Sequence, residues 1–101
     1  MILDDLVLGE IAQVASIVVG VGYDATEGAV FFEASDDGGA TTKTLRSGNT
    51  RAQVAPSDEA QPAIEVLGTG EIVVSVTYAA NVRSYLSRDF GEHWTAVDAV
   101  T

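Results

Sequence analysis

Apolar residues recur at every second position in several short runs, the period of half-buried strands. Ile17, Val19, Val21 and Tyr23 alternate on one face of a run from Ile11 to Tyr23. Gly20 and Gly22 fall on its other face, the arrangement found where another backbone comes close. Ile72, Val74, Val76 and Tyr78 alternate in the same way with Val73, Ser75 and Thr77, so this strand carries apolar groups on both faces. Nowhere do apolar residues return at i, i+3, i+4 and i+7 over three turns with capping residues. The glycines and β-branched residues also favour strands. The pattern predicts an all-β chain.

Taken in order, the chain divides into two similar halves of four strands. Leu6–Leu8 is the first short strand, Gly9-Glu10 a turn, and Ile11–Tyr23 the second strand. A polar turn at Asp24–Gly28 leads to a third strand, Ala29–Ala34, and a fourth is expected through Thr44 and Leu45. Ser47–Gln61 is polar, short of large apolar residues and closed by Pro56 and Pro62, and it reads as a connection. The second half runs through Ala63–Leu67, a turn at Gly68–Gly70, Glu71–Tyr78 and Val82–Leu86 to a last strand ending near Val100. A single domain with units over 2–46 and 62–101, joined by 47–61, is expected.

Between the last two strands lies Ser87-Arg88-Asp89-Phe90-Gly91-Glu92-His93-Trp94, which reads S-x-D-x-G-x-x-W. Each fixed position suits a tight turn. The Asp accepts bonds from backbone N–H groups that the ladder has lost, the Ser hydroxyl adds another, and Gly permits positive φ. Trp94 opens the next strand with a large ring to bury. Ser35, Asp37 and Gly39 repeat the register 52 residues earlier (87 − 35), with Thr42 where the Trp would stand.

This pair of motifs resembles the Asp-box, or BNR repeat, of sialidase-like β-propellers, where it lies at the turn between the third and fourth strands of a blade. Pro62–Val74 also looks like the first hairpin of such a blade, and the repeat distance suits one blade with generous loops. The resemblance implies a partial propeller: two four-stranded antiparallel blade-like units, completed by oligomerisation or by partner subunits. The alternative is a single β-sandwich or jelly roll in which the motifs are merely similar turns. Structural roles are thereby expected for Ser35, Asp37, Gly39, Ser87, Asp89, Gly91 and Trp94.

Composition narrows the function. The 101 residues are 47% hydrophobic, which excludes a disordered chain, and no apolar run is long enough for a transmembrane helix. The first residues lack the basic start and apolar stretch of a signal peptide. With no cysteine, disulfides and thiolate metal sites are excluded. A net charge of −10 argues against nucleic acid and anionic membranes. Lys43 is the only lysine against four arginines and 15 acidic residues, a balance that suits very salty surroundings and equally a GC-rich genome.

The sialidase resemblance raises glycoside hydrolysis. In that family three arginines hold the substrate carboxylate, a tyrosine paired with a glutamate is the nucleophile, and an aspartate is the acid. Here Arg46, Arg51, Arg83 and Arg88, with Tyr23, Tyr78 and Tyr85, include none in the F/Y-R-I-P segment that precedes the first blade of sialidases. Asp-boxes themselves lie at the periphery of the propeller. The tyrosines therefore read as strand residues and the arginines as surface charges, with no catalytic residues and no enzyme activity expected. His93 reads as a solvated turn residue. Asp36 and Asp37 beside Glu33 fall short of the six or more oxygens that Ca²⁺ takes, so neither metal nor cofactor is expected. Tyr85, Phe90 and Trp94 form either part of the core or an aromatic sugar platform, with Tyr85 and Trp94 the candidate glycan contacts.

The expected function is a non-enzymatic structural or docking subunit of a larger assembly. A virion setting, as an accessory coat, head-fibre or tail protein of a virus or phage, leads the expectation, with an extracellular one beside it. A glycan-binding, lectin-like module is the alternative, and a hydrolase assembled from several chains a third. Two blades alone leave two apolar faces open, so the chain is expected to pair with itself or with other subunits. Three copies would close a six-bladed ring, which favours a trimer.

Overall fold

A computed structural model describes residues 2–4, 6–14, 16–46, 48–56, 61–78 and 81–97. The described residues form eight strands: β1 (Val7–Val14), β2 (Ile17–Asp24), β3 (Ala29–Ser35), β4 (Ala52–Pro56), β5 (Gln61–Val66), β6 (Ile72–Tyr78), β7 (Asn81–Ser87) and β8 (Thr95–Val97). The first four make one sheet in the order β1-β2-β3-β4, here called sheet A. The last four make sheet B in the order β5-β6-β7-β8. All pairings are antiparallel and join strands adjacent in the chain. The chain is all-β, with two four-stranded antiparallel sheets.

Two strand assignments differ from the sequence expectation, each for a physical reason. Gly9-Glu10 is not a turn. β1 continues through it to Val14, with a bulge between Val7 and Glu10 and Leu8 at φ 57°. The run expected as one strand from Ile11 to Tyr23 is thus divided between β1 and β2, Ile11 pairing back on Gly20 and Val14 on Ile17. A glycine inside a strand pattern marks a bulge as readily as a turn. The fourth strand of sheet A is not at Thr44 and Leu45 but at Ala52–Pro56, inside the stretch read as a connection. Leu45 instead turns inward and is buried, on a loop closed by Leu45 N–H to Asn49 O (2.7 Å) and Gly48 N–H to Leu45 O (3.0 Å). Pairing with β3 then resumes where Val54 and Ala55 bring apolar side chains to bury. Residues 57–60 lie outside the described set, as does the stretch beyond Val97, where a longer last strand was expected.

The sheets stack face on face. Val19, Val21, Tyr23, Val30, Phe32 and Ala34 point from sheet A into one core with Ile64, Ile72, Val74 and Val76 from sheet B. Their backbones come closest where β1 and β2 meet β5. Glu10 reaches across there to accept from Ile64 N–H at 3.0 Å. Further out, Glu92 of sheet B's turn accepts from Arg46 N–H at 3.0 Å.

The opposite face of sheet A has its own cover. Leu3 and Leu6, from the leading segment of the chain, pack with Ala29 and Phe31 as a second small core. Gly20 and Gly22 make that possible: a Cβ on Gly22 would lie 2.6 Å from Leu6 Cβ, and one on Gly20 would lie 3.0 Å from Leu3 Cδ1. The close approach expected from these two glycines is thus made by Leu3 and Leu6. The buried Glu33 carboxylate accepts from Leu3 N–H at 2.7 Å, and Gly39 O accepts from Ile2 N–H at 3.1 Å.

Candidate functional site

The two turn motifs lie between the third and fourth strands of their sheets and share one set of bonds. In the first, Ser35 Oγ donates to Asp37 Oδ1 (2.5 Å), Gly39 N–H donates to Ser35 Oγ (2.9 Å) and Thr41 N–H donates to Asp37 Oδ1 (2.9 Å). In the second, Ser87 Oγ donates to Asp89 Oδ1 (2.8 Å), Gly91 N–H to Ser87 Oγ (2.7 Å) and His93 N–H to Asp89 Oδ1 (2.9 Å). The backbone repeats as well, with consecutive left-handed residues at Gly38 and Gly39 (φ 76° and 96°) and at Phe90 and Gly91 (φ 62° and 87°). Even the second carboxylate oxygen is used alike, bonded to the Thr41 hydroxyl in one turn and to His93 Nδ1 in the other. His93 therefore completes a turn in a place that threonine fills in the first copy.

The turns differ in what they touch. Trp94 Nε1–H donates to Gly91 O at 2.7 Å, and its ring packs on Phe32 of sheet A with centroids 5.6 Å apart and planes tilted by 56°. Thr42 offers no such ring, and the buried Leu45 enters the same core from the loop beyond it. The half-buried Trp94 ring thus packs against the core, and its N–H is bonded within the turn. Tyr85 is half-buried against that core, as is Phe90. Tyr23 is buried within it. Tyr78 lies in β6, and its side chain falls outside the described set.

The remaining chemistry is dispersed. Arg46, Arg51 and Arg88 approach three different carboxylates, Glu92, Asp24 and Glu71. Arg83 is exposed on β7. An open groove of about 590 Å³ runs beside the second turn and β8, lined by Leu86, Arg88, Asp89, His93, Thr95, Ala96 and Val97. It holds one imidazole, already bonded to Asp89, and a guanidinium bonded to Glu71 at 2.9 Å. Ser87 is buried and donates to the carboxylate rather than to the imidazole, so the Ser–Asp–His grouping is a turn and not a nucleophile with its base. Among the described residues no group of three or more His, Asp or Glu side chains is placed to hold a metal ion.

One site escaped the sequence reading. Asp24 Oδ1 accepts from Thr26 N–H (2.9 Å) and Glu27 N–H (3.0 Å), while Oδ2 takes the Arg51 guanidinium at 2.8 Å. That guanidinium also lies 3.9 Å from the centroid of Phe31. The Asp24–Gly28 segment had a legible signal for the first half, an Asp that caps its own turn two and three residues on. The pairing of Asp24 with Arg51, just before β4, spans 27 residues and had none.

The turn carboxylates are held ionised. Burial pushes Asp89 up, but the His93 N–H, the His93 ring and the Ser87 hydroxyl together outweigh it and bring the group down to about 2 from the ordinary 3.8. Asp37 lies well below the usual carboxylate range, first through the Ser35 hydroxyl and then through the Thr41 hydroxyl and N–H. A depressed folded-state value contributes stability above the unfolded value, and that contribution is lost as pH falls through the folded one. Between about pH 4 and pH 2, wild type should therefore lose stability relative to Asp89→Asn, which has no charge to protonate. Urea melts of both proteins at several pH values check this. Parallel pH profiles would show that the Asp89 charge contributes nothing.

Compared with family models, curated proteins and solved structures, the chain gives no match.

Proposed function

We propose that this chain is a non-enzymatic structural or docking subunit, made of two Asp-box blades of a sialidase-like propeller whose remaining blades come from neighbouring copies. One observation carries the reading: two turns that share the same Ser, Asp and Gly bonds, 52 residues apart (87 − 35), stand on two sheets stacked in the same sense. Ser87, on β7, shares the face of sheet B turned toward sheet A, since it pairs with the core residue Ile72. Ser35, on β3, faces the opposite way from sheet A, toward the place of a preceding sheet. A third unit repeating that step would sit on the outer face of sheet B, formed by Ala63, Val73, Ser75, Ser84, Leu86 and Val97. Val73 and Leu86 there are only half covered, and Val82 on the same face is 57% exposed.

Stacking of this kind is heterologous, so it closes when the rotation allows and three copies make a ring of six sheets. Its test is the mass of the purified chain by light scattering over a range of concentrations. Mass rising from one chain to three supports the ring, and a folded monomer throughout rejects it. Fluorogenic glycosides, sialosides included, are expected to survive incubation with the protein unchanged.

A further inference from the structure

The proposed ring requires the outer face of sheet A to be open, yet Ile2, Leu3 and Leu6 lie on that side of the molecule. Phe31, Glu33 and Ser35 on this face stand 52 residues before Arg83, Tyr85 and Ser87, which lie on the face of sheet B turned toward sheet A, with Ser87 buried, Tyr85 half-buried and Arg83 exposed (83 − 31). The leading segment thus occupies the seat of a preceding sheet. The contacts that hold it there include two leucines over Gly20 and Gly22 and bonds to Glu33 and to Gly39 O. The two seats differ at the glycine of the turn. Gly91 is pressed by the Phe32 ring, whereas a Cβ on its equivalent, Gly39, would meet nothing within 4 Å among the described residues.

Resting on the ring reading, we infer that the leading segment is a cap that competes with a second copy of the chain for the outer face of sheet A. The occupant that replaces it is the outer face of the second copy's sheet B. The interface inside the chain is the template for this choice, because Val82, Ser84 and Leu86 on that face are the counterparts of Val30, Phe32 and Ala34, which pack sheet A against sheet B (84 − 32). With the cap seated the copy is closed on this side. With the cap displaced, the two faces meet head to tail. The cap thereby sets the concentration at which copies assemble, since only the uncapped fraction is competent to bind.

The test uses the full chain with Leu3→Asp and Leu6→Asp together, which removes the cap's apolar hold. If the uncapped state is the usual minor fraction, self-association should begin at a concentration roughly ten-fold or more below that of wild type. Adding Ser84→Arg on the outer face of sheet B should restore the monomer. Association that Ser84→Arg leaves untouched would be indiscriminate sticking and overturns the inference, as does a folded double variant that stays monomeric wherever wild type does. Should the double variant not fold, Gly22→Ala reads the same point, because its methyl evicts Leu6 without adding charge. Faster exchange of the Leu3 amide with earlier, Ser84→Arg-sensitive association supports the cap. A seated Leu3 amide, or release without association, rejects it. A wild type that stays monomeric while the uncapped variant assembles would reject the ring for the native chain and leave the cap standing, and the converse pattern separates the two equally.

Discussion

Phe32→Ala is expected to cost about 3–5 kcal/mol, the range for removing a fully buried aromatic ring. Phe32 has no exposed surface and stands where both sheets and the second turn converge, against Trp94 and beneath Gly91. Trp94→Ala should cost less, about 2 kcal/mol, because that ring is only half-buried and sits at the margin of the core. The two changes should not add. A tilted aromatic pair contributes about 0.5–1.5 kcal/mol beyond its buried area, so the double variant should fall short of the sum by about that amount. Denaturant unfolding of the four proteins in the cycle measures the coupling. A coupling of zero would mean that Trp94 packs without regard to Phe32, and the second turn would then not anchor the sheets to each other.

Gly91→Ala is the second large effect, and Gly39→Ala is its control. Both glycines hold the same position of the same turn at left-handed φ, 87° and 96°, so each alanine meets a backbone cost of about 1 kcal/mol. Among the described residues only Gly91 would set a Cβ against a neighbour, 2.3 Å from Phe32 Cε1. Relieving that overlap moves the ring or the turn and adds about 1–3 kcal/mol. Gly91→Ala should therefore lose about 2–4 kcal/mol and Gly39→Ala about 1 kcal/mol. Thermal melts compare them directly. Equal losses would show that the conformation of the turn, and not its contact with sheet A, is what the glycine serves.

That contrast marks how far the residues could be read beforehand. The strand period and the fixed positions of the two motifs are local, since Ser, Asp and Gly satisfy one another within seven residues, and so the turns and the two four-stranded sheets were legible. The place of β4 was not. Thr42 has no large side chain to open a strand as Trp94 does for β8, and nothing in 43–51 says that Leu45 will fold inward first. Gly20 and Gly22 announced a close approach without naming the partner. Leu3 and Leu6 fill it from 16 or so residues away, and no local rule connects them. The candidate site was legible as a turn and illegible as an interface, because whether Trp94 meets sugar or Phe32 depends on the stacking of the sheets.

The order of pairing has a bearing on how the chain acquires its structure. Every strand pairs only with its neighbour in sequence, so each sheet is a succession of hairpins whose ends are close from the start. Such contacts close short loops and form early, whereas docking one sheet on the other must bring together residues as distant as Phe32 and Trp94. During synthesis sheet A is finished before β7 and β8 emerge, and Phe32 waits uncovered for its partner ring. The rate-limiting event should then be the meeting of two nearly formed sheets, and Phe32→Ala should slow folding rather than hasten unfolding.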